Sequence, residues 1–185
     1  MTSLLPADPV KRGRVKLALL IAVFAIPVVA GWVAYVSGWG AGTASNYGSL
    51  LAPQPIAAAP FAALRGKWVL VQIDRGACEA LCEQKLYYMR QVRRAQGRQM
   101  SRVERLWIVT DSAAPPAALL AAIEGTHIVR GDAQLAAAFP AERAATDHIY
   151  LLDPLGNLML RFPRDPNPAR MVKDLERLLK YSGFG

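Results

Sequence analysis

From Leu17 to Val36 the chain reads LALLIAVFAIPVVAGWVAYV, twenty residues without a charge. A helix needs about 20 apolar residues to cross the hydrocarbon core of a bilayer. A soluble helix that is apolar on every side would have to be buried on every side, and the remainder of a 185-residue chain is too short to do that. The apolar stretch of a cleaved leader is only about 7–15 residues, so residues 17–37 are expected to be an uncleaved transmembrane helix. Pro27 lies mid-span, where neighbouring groups can satisfy the backbone it frees.

The flanks predict orientation. Lys11, Arg12, Arg14 and Lys16 precede the span against a single Asp8, and no charge follows until Arg65. Basic flanks stay cytoplasmic. Residues 1–16 are therefore expected inside and everything after Trp39 outside, with Trp32, Tyr35 and Trp39 near the outer interface. In a Gram-negative bacterium this is a single-pass protein of the inner membrane with a periplasmic C-terminal domain, where disulfides are stable. Nucleic acid is excluded as a partner by location. After residue 64 there are 18 Lys and Arg against 13 Asp and Glu, a mild excess that fits a solvated face, anionic lipid or an acidic partner.

Residues 38–64 are rich in Gly, Ala, Ser and Pro and read as a linker, along which NYGSLLAP could dock in an extended form. Residues 65–185 have the pattern of one folded domain. WVLVQI (68–73) is a continuous apolar run of strand length, DRGAC supplies a turn, and a helix follows from Glu79 to about Gln96 with Cys82, Leu86, Met89 and Val92 on one stripe. ERLWIVTD (104–111), a short helix begun by Pro115 and Pro116, THIVRG (126–131) and a helix capped by Asp132 come next. HIYLLD and NLMLRF flank a PLG turn with Gly156 at positive φ, and the last helix runs from Asn167 to Tyr181. The order β-α-β-α-β-α-β-β-α predicts an α/β, thioredoxin-like fold: a mixed central sheet flanked by helices.

GACEALC (76–82) holds the only two cysteines, Cys78 and Cys82. They fall at the first strand-to-helix turn, at the carboxyl end of a strand, where open α/β sheets bind ligands. The helix N-terminus and Arg75 would favour a thiolate at Cys78. A spacing of four puts both sulfurs on one helix face, close enough for a disulfide or for joint coordination of one ion. Two soft thiolates select Cu(I), Zn or iron-sulfur clusters, and Cu(I) accepts low coordination. The nitrogen donors available are His127 and His148; His127 reads as a surface strand residue. Met89 reads as core, and Tyr87, Tyr88, Trp68 and Trp107 as packing. The chain has no P-loop, dinucleotide glycine pattern, H-E-x-x-H or Ser-His-acid motif.

The segments GKWVLVQIDRGACEALC and DHIYLLDPLGNLMLRF, with the single anchor, resemble the Sco/SenC family: membrane-anchored, thioredoxin-like copper chaperones and thiol reductants that help build the copper centre of cytochrome c oxidase. The likeness covers roughly residues 60–181. It implies that Cys78, Cys82 and His148 are Cu(I) ligands with Asp147 beside them, and that the partner is oxidase subunit II or another assembly factor. The family has proline after its second cysteine where this chain has Glu83, and its histidine stands about three residues further from the hairpin strand than His148. Two alternatives stay open: a thiol-disulfide oxidoreductase with Cys78 and Cys82 as catalytic pair, although no proline precedes the hairpin strand closely, and a non-catalytic assembly factor with a structural disulfide.

Overall fold

The computed structural model describes residues 9–37, 46–56 and 58–183, in two compact units. The first contains one helix, α1 (Pro9–Ser37), of which Val10–Ser37 is long and apolar enough to cross a membrane, with none of its best window buried against protein. Pro27 lies inside it. The helix begins before the expected span because the basic flank continues the same winding. Trp32 and Tyr35 lie one turn apart with ring centroids at 6.5 Å; Trp39 lies outside the described residues.

The second unit begins at Asn46. It contains strands β1 (Ser49–Pro55), β2 (Trp68–Asp74), β3 (Val103–Val109), β4 (His127–Arg130), β5 (Ile149–Leu152) and β6 (Asn157–Arg161). Its helices are α2 (Ala59–Ala62), α3 (Ala80–Ala95), α4 (Ala117–Ala122), α5 (Ala133–Ala137) and α6 (Pro168–Tyr181). The sheet order is β1-β6-β5-β2-β3-β4. β2, β3 and β4 are parallel, and β5 and β6 run antiparallel to their neighbours. This is the thioredoxin-like arrangement of a mixed sheet between helices.

Helices cover both faces, which explains why β2 is apolar without alternation. On one face, Leu86, Met89 and Val92 of α3 and Met171, Leu175 and Leu179 of α6 pack on Leu70, Trp107, Ile149 and Leu151. On the other, Ile56, Phe61 and Phe139 pack on Val71, Ile73, Leu106, Tyr150 and Leu152. Asp132 caps α5 by accepting from Leu135 N at 2.7 Å, Asn167 caps α6 by accepting from Arg170 N at 3.2 Å, and Gly156 turns the hairpin at φ +87°. Trp68, Trp107 and Met89 are buried as expected, while Tyr87 is 53% exposed and packs only partly.

The linker expected over 38–64 is shorter than its composition suggests. β1 pairs antiparallel with β6, with an irregular register between Leu50 and Gln54. Pro53 and Pro55 are tolerated because an edge strand needs only one side of its backbone for pairing. Ahead of β1, the NYG segment is latched to α6. Asp174 is 6% exposed and accepts from Tyr47 N at 3.0 and 2.9 Å and from Gly48 N at 2.9 Å. Tyr47 Oη accepts from Asn167 N at 2.7 Å, and its ring lies beside Phe162 with Arg170 5.3 Å above it. A Cβ on Gly48 would lie 2.4 Å from Leu160 Cδ2, so any larger residue there has to displace the buried Leu160 side chain.

Candidate functional site at the β2–α3 turn

β2 ends at Asp74, and the chain turns over Arg75–Cys78, with Cys78 N donating to Arg75 O at 3.1 Å. The turn is seated on the loop after β3. A Cβ on Gly76 would lie 2.1 Å from Ala113 O, and Gly76 N donates to Asp111 Oδ1 at 2.8 Å. Arg75 Nε reaches Asp111 Oδ2 at 3.4 Å, and Ala113 N donates to Oδ1 at 3.2 Å. These bonds, that from Gly76 N foremost, hold the Asp111 carboxyl below its ordinary value of 3.8. Arg75 is thus occupied at the surface.

Cys78 sits at φ +44°, the only non-glycine residue at positive φ among those described. That conformation costs an L-residue roughly 1–2 kcal/mol. Its Sγ is bonded to that of Cys82 in the first turn of α3, with an S–S distance of 2.02 Å and a Cα–Cα distance of 5.2 Å. Both cysteines are largely buried, 3% and 2% exposed, and belong to the α3–α6 core. They are not sealed, since both line a cleft of about 300 Å³ together with Leu81, Lys85, Asp74, Thr146 and Asp147. Leu81 is half-exposed at its edge.

Lys85 is the group that reading the sequence missed. It is 3% exposed, and its Nζ donates to Thr146 O. Burial pushes its pKa down from 10.5, opposed by the charges of Asp74 and Asp147. Burial pushes Asp74 up from 3.8, opposed first by the backbone N–H of Arg75, then by the charge of Lys85 and by Gln72 Nε2, which donates to it at 3.2 Å. Asp147 pairs with Arg164 at 3.1 Å. The signal was present: Lys85 lies one turn after Cys82 on the stripe of Leu86 and Met89, and a lysine facing inward needs a reason.

His148 does not join this group. Its Nδ1–H donates to Phe162 O at 2.8 Å, and its ring lies edge-on to Tyr150 with centroids at 6.0 Å. Side chains alternate along a strand. Ile149 belongs to the cysteine core and Tyr150 to the opposite one, so His148 shares the face of Tyr150. Among the described residues no three or more His, Cys, Asp and Glu are grouped to hold a metal ion. The expected set of Cys78, Cys82 and His148 is therefore not assembled; Asp147 alone of the implied neighbours lines the cleft. His127 lies at the outer strand, 3.5 Å from Glu104.

The family described as transmembrane-like, thioredoxin-like, C-terminal domain matches residues 68–182. The chain belongs to this family. No curated protein matches the chain. Its solved neighbours include Sco1 proteins, in line with the resemblance seen in the sequence. This member of the transmembrane-like, thioredoxin-like family is 16% identical to yeast Sco1 with copper bound, with a TM-score of 0.53 over 76% of this chain and 96% of that one. It is 18% identical to apo Sco1 of Thermus thermophilus, with a TM-score of 0.54 over 75% and 98%. For Arabidopsis thaliana ScoI with copper bound the identity is 11% and the TM-score 0.50 over 74% and 99%. At such identities the likeness is one of fold.

Proposed function

We propose that this chain is a membrane-anchored, Sco-like thiol reductant whose outer domain acts on the copper-site cysteines of an oxidase subunit, with Cys78 and Cys82 as the exchanging pair. The observation that carries the reading is the disulfide lining a cleft at the β2–α3 turn with a buried ammonium beside it. In the working direction, one thiolate of the reduced pair attacks a substrate disulfide and forms a mixed disulfide. The second thiolate then attacks the bound sulfur, releasing reduced substrate and closing Cys78–Cys82. Two electrons pass to the substrate, and a donor dithiol outside the chain restores the pair. Leu81 offers an apolar contact for the incoming chain at the rim.

The test is equilibration of the full-length protein in detergent with glutathione redox buffers. A working pair gives a reduction potential above about −300 mV, whereas a pair that stays oxidised below that range is structural and overturns the reading.

A second reading is favoured by the fold shared with copper-bound yeast Sco1: the reduced pair carries Cu(I) as cargo. The donors that line the cleft suit two-sulfur coordination, because both cysteines line it and His148 does not. Copper titration of the reduced full-length protein tests it. Tight 1:1 binding lost in Cys82→Ala and retained in His148→Ala supports the two-sulfur site, and no tight binding in the wild type removes it.

A further inference from the structure

A lysine that folds into the interior three residues after a disulfide cysteine is an expensive feature. Burying an ammonium costs several kcal/mol unless partners offset it. Lys85 has a hydrogen bond to Thr146 O and the charges of Asp74 and Asp147 nearby, with Arg164 opposing them. Arg75 and Glu79 also face the cleft that it lines with both cysteines. On α3 it stands at i+3 from Cys82, which puts their Cβ atoms about 5–6 Å apart. Cys82 and Lys85 thus stand one turn apart on the same helix and line the same cleft, whereas Cys78 precedes the helix.

We propose that Lys85 is a positioning residue for thiol exchange: its ammonium, anchored on the Thr146 carbonyl, stabilises Cys82 as the leaving thiolate when the disulfide is opened. This rests on the redox reading above. A donor thiolate attacks Cys78 Sγ, a new S–S bond forms there, the Cys78–Cys82 bond breaks, and its electron pair goes to Cys82 Sγ beside the ammonium. A second donor thiolate then attacks the donor's own sulfur in the mixed disulfide and frees Cys78. The donor leaves as a disulfide, and the chain holds two thiols, their protons drawn from solvent. A better leaving thiolate leaves faster, and stabilising it raises the potential of the pair.

An opposite charge within about 4–6 Å lowers an acid's pKa by roughly 1–3, and the lower bound of that effect is tenfold. The experiment uses full-length protein in detergent, as wild type, Lys85→Gln, Lys85→Met and Lys85→Arg. Thiolate absorbance of the reduced protein is titrated against pH, and the equilibrium with glutathione is measured. The expected result is thiolate formation at proton concentrations about tenfold lower in both neutral variants, and an equilibrium constant for reduction about tenfold smaller, or about 30 mV. Lys85→Arg should retain the wild-type titration. Wild-type behaviour in the neutral variants overturns the proposal while leaving the redox reading intact. Loss of folding in both neutral variants assigns Lys85 a purely structural task and also overturns it. A wild-type pair that glutathione cannot reduce removes the redox reading itself, whatever Lys85 does.

Discussion

The latch between the NYG segment and α6 gives the most direct test of what holds the outer domain together. In Asp174→Ala, two backbone donors, Tyr47 N and Gly48 N, lose a buried carboxylate that they reach at 2.9–3.0 Å. Hydrogen bonds to charged groups contribute roughly 1.5–3 kcal/mol each. The direct loss is therefore about 3–6 kcal/mol if the segment stays in place with its donors stranded. Peeling of the segment would limit that loss, but it would also uncover Phe162, on which the Tyr47 ring packs. For a domain of this size about 1 kcal/mol corresponds to roughly 2–4 °C in Tm, so a fall of about 6–24 °C is expected. Asp174→Asn keeps an acceptor and should show about half the effect. Urea unfolding of the full-length protein in detergent gives the energy, and amide exchange at Tyr47 and Gly48 shows whether the latch itself opens. A loss below about 1 kcal/mol, or unchanged protection at those two amides, would refute the account of the latch.

Three further outcomes follow from the geometry. In Gly76→Ala the new methyl meets Ala113 O; a shift of the turn costing about 1–3 kcal/mol, and faster reduction of the disulfide by dithiothreitol as the turn loosens, should be seen by urea unfolding and thiol labelling. Arg105 is buried with Nε and Nη1 lacking hydrogen-bond partners and with Arg93 and Arg90 nearby, and its pKa is lowered chiefly by burial. Arg105→Met should therefore be neutral or stabilising by about 1 kcal/mol, as read from the urea midpoint. The two aspartates flanking the turn should have opposite pH signatures. Asp74 binds its proton more tightly folded than unfolded, so its ionisation costs stability as pH rises above 3.8, and Asp74→Asn should remove that decline. Asp111 binds its proton less tightly when folded; its contribution is complete above 3.8 and is lost as pH falls through its depressed folded value. Asp111→Asn should therefore destabilise at neutral pH and not in strong acid. Thermal melts across pH 2–8 check both, with the range taken as roughly that over which carboxylates titrate.

Local patterns made much of this fold legible. The apolar run of β2, the PLG hairpin, the Asn167 and Asp132 caps and the stripe on α3 are set by interactions within a few residues, and they stand where the sequence puts them. β1 was legible only as an extended docking of NYGSLLAP; its pairing was hidden because its prolines read as linker and its partner β6 lies about a hundred residues further on. The Asp174 latch was hidden for the same reason, with a separation of 127 residues from Tyr47. At the cleft, the cysteine pair was legible from its place at a strand end. His148 is implied as a ligand by resemblance to a family motif; that its Nδ1–H is held by Phe162 O, fourteen residues on, is a contact no local pattern reveals. Lys85 was overlooked because Arg75, next to the turn, looked like the cation that mattered, whereas it spends its charge on Asp111.

The added strand also bears on how a soluble version should be cut. A fragment begun at Trp68, where the family match starts, would strip β6 of the strand that covers its outer side. It would also leave a row of open amides and carbonyls ready to recruit another molecule, and an interior carboxylate at Asp174 deprived of both donors. Aggregation of such a fragment would say nothing about the chemistry of the thiols. A cut before Asn46 keeps the sheet complete and is the place to begin.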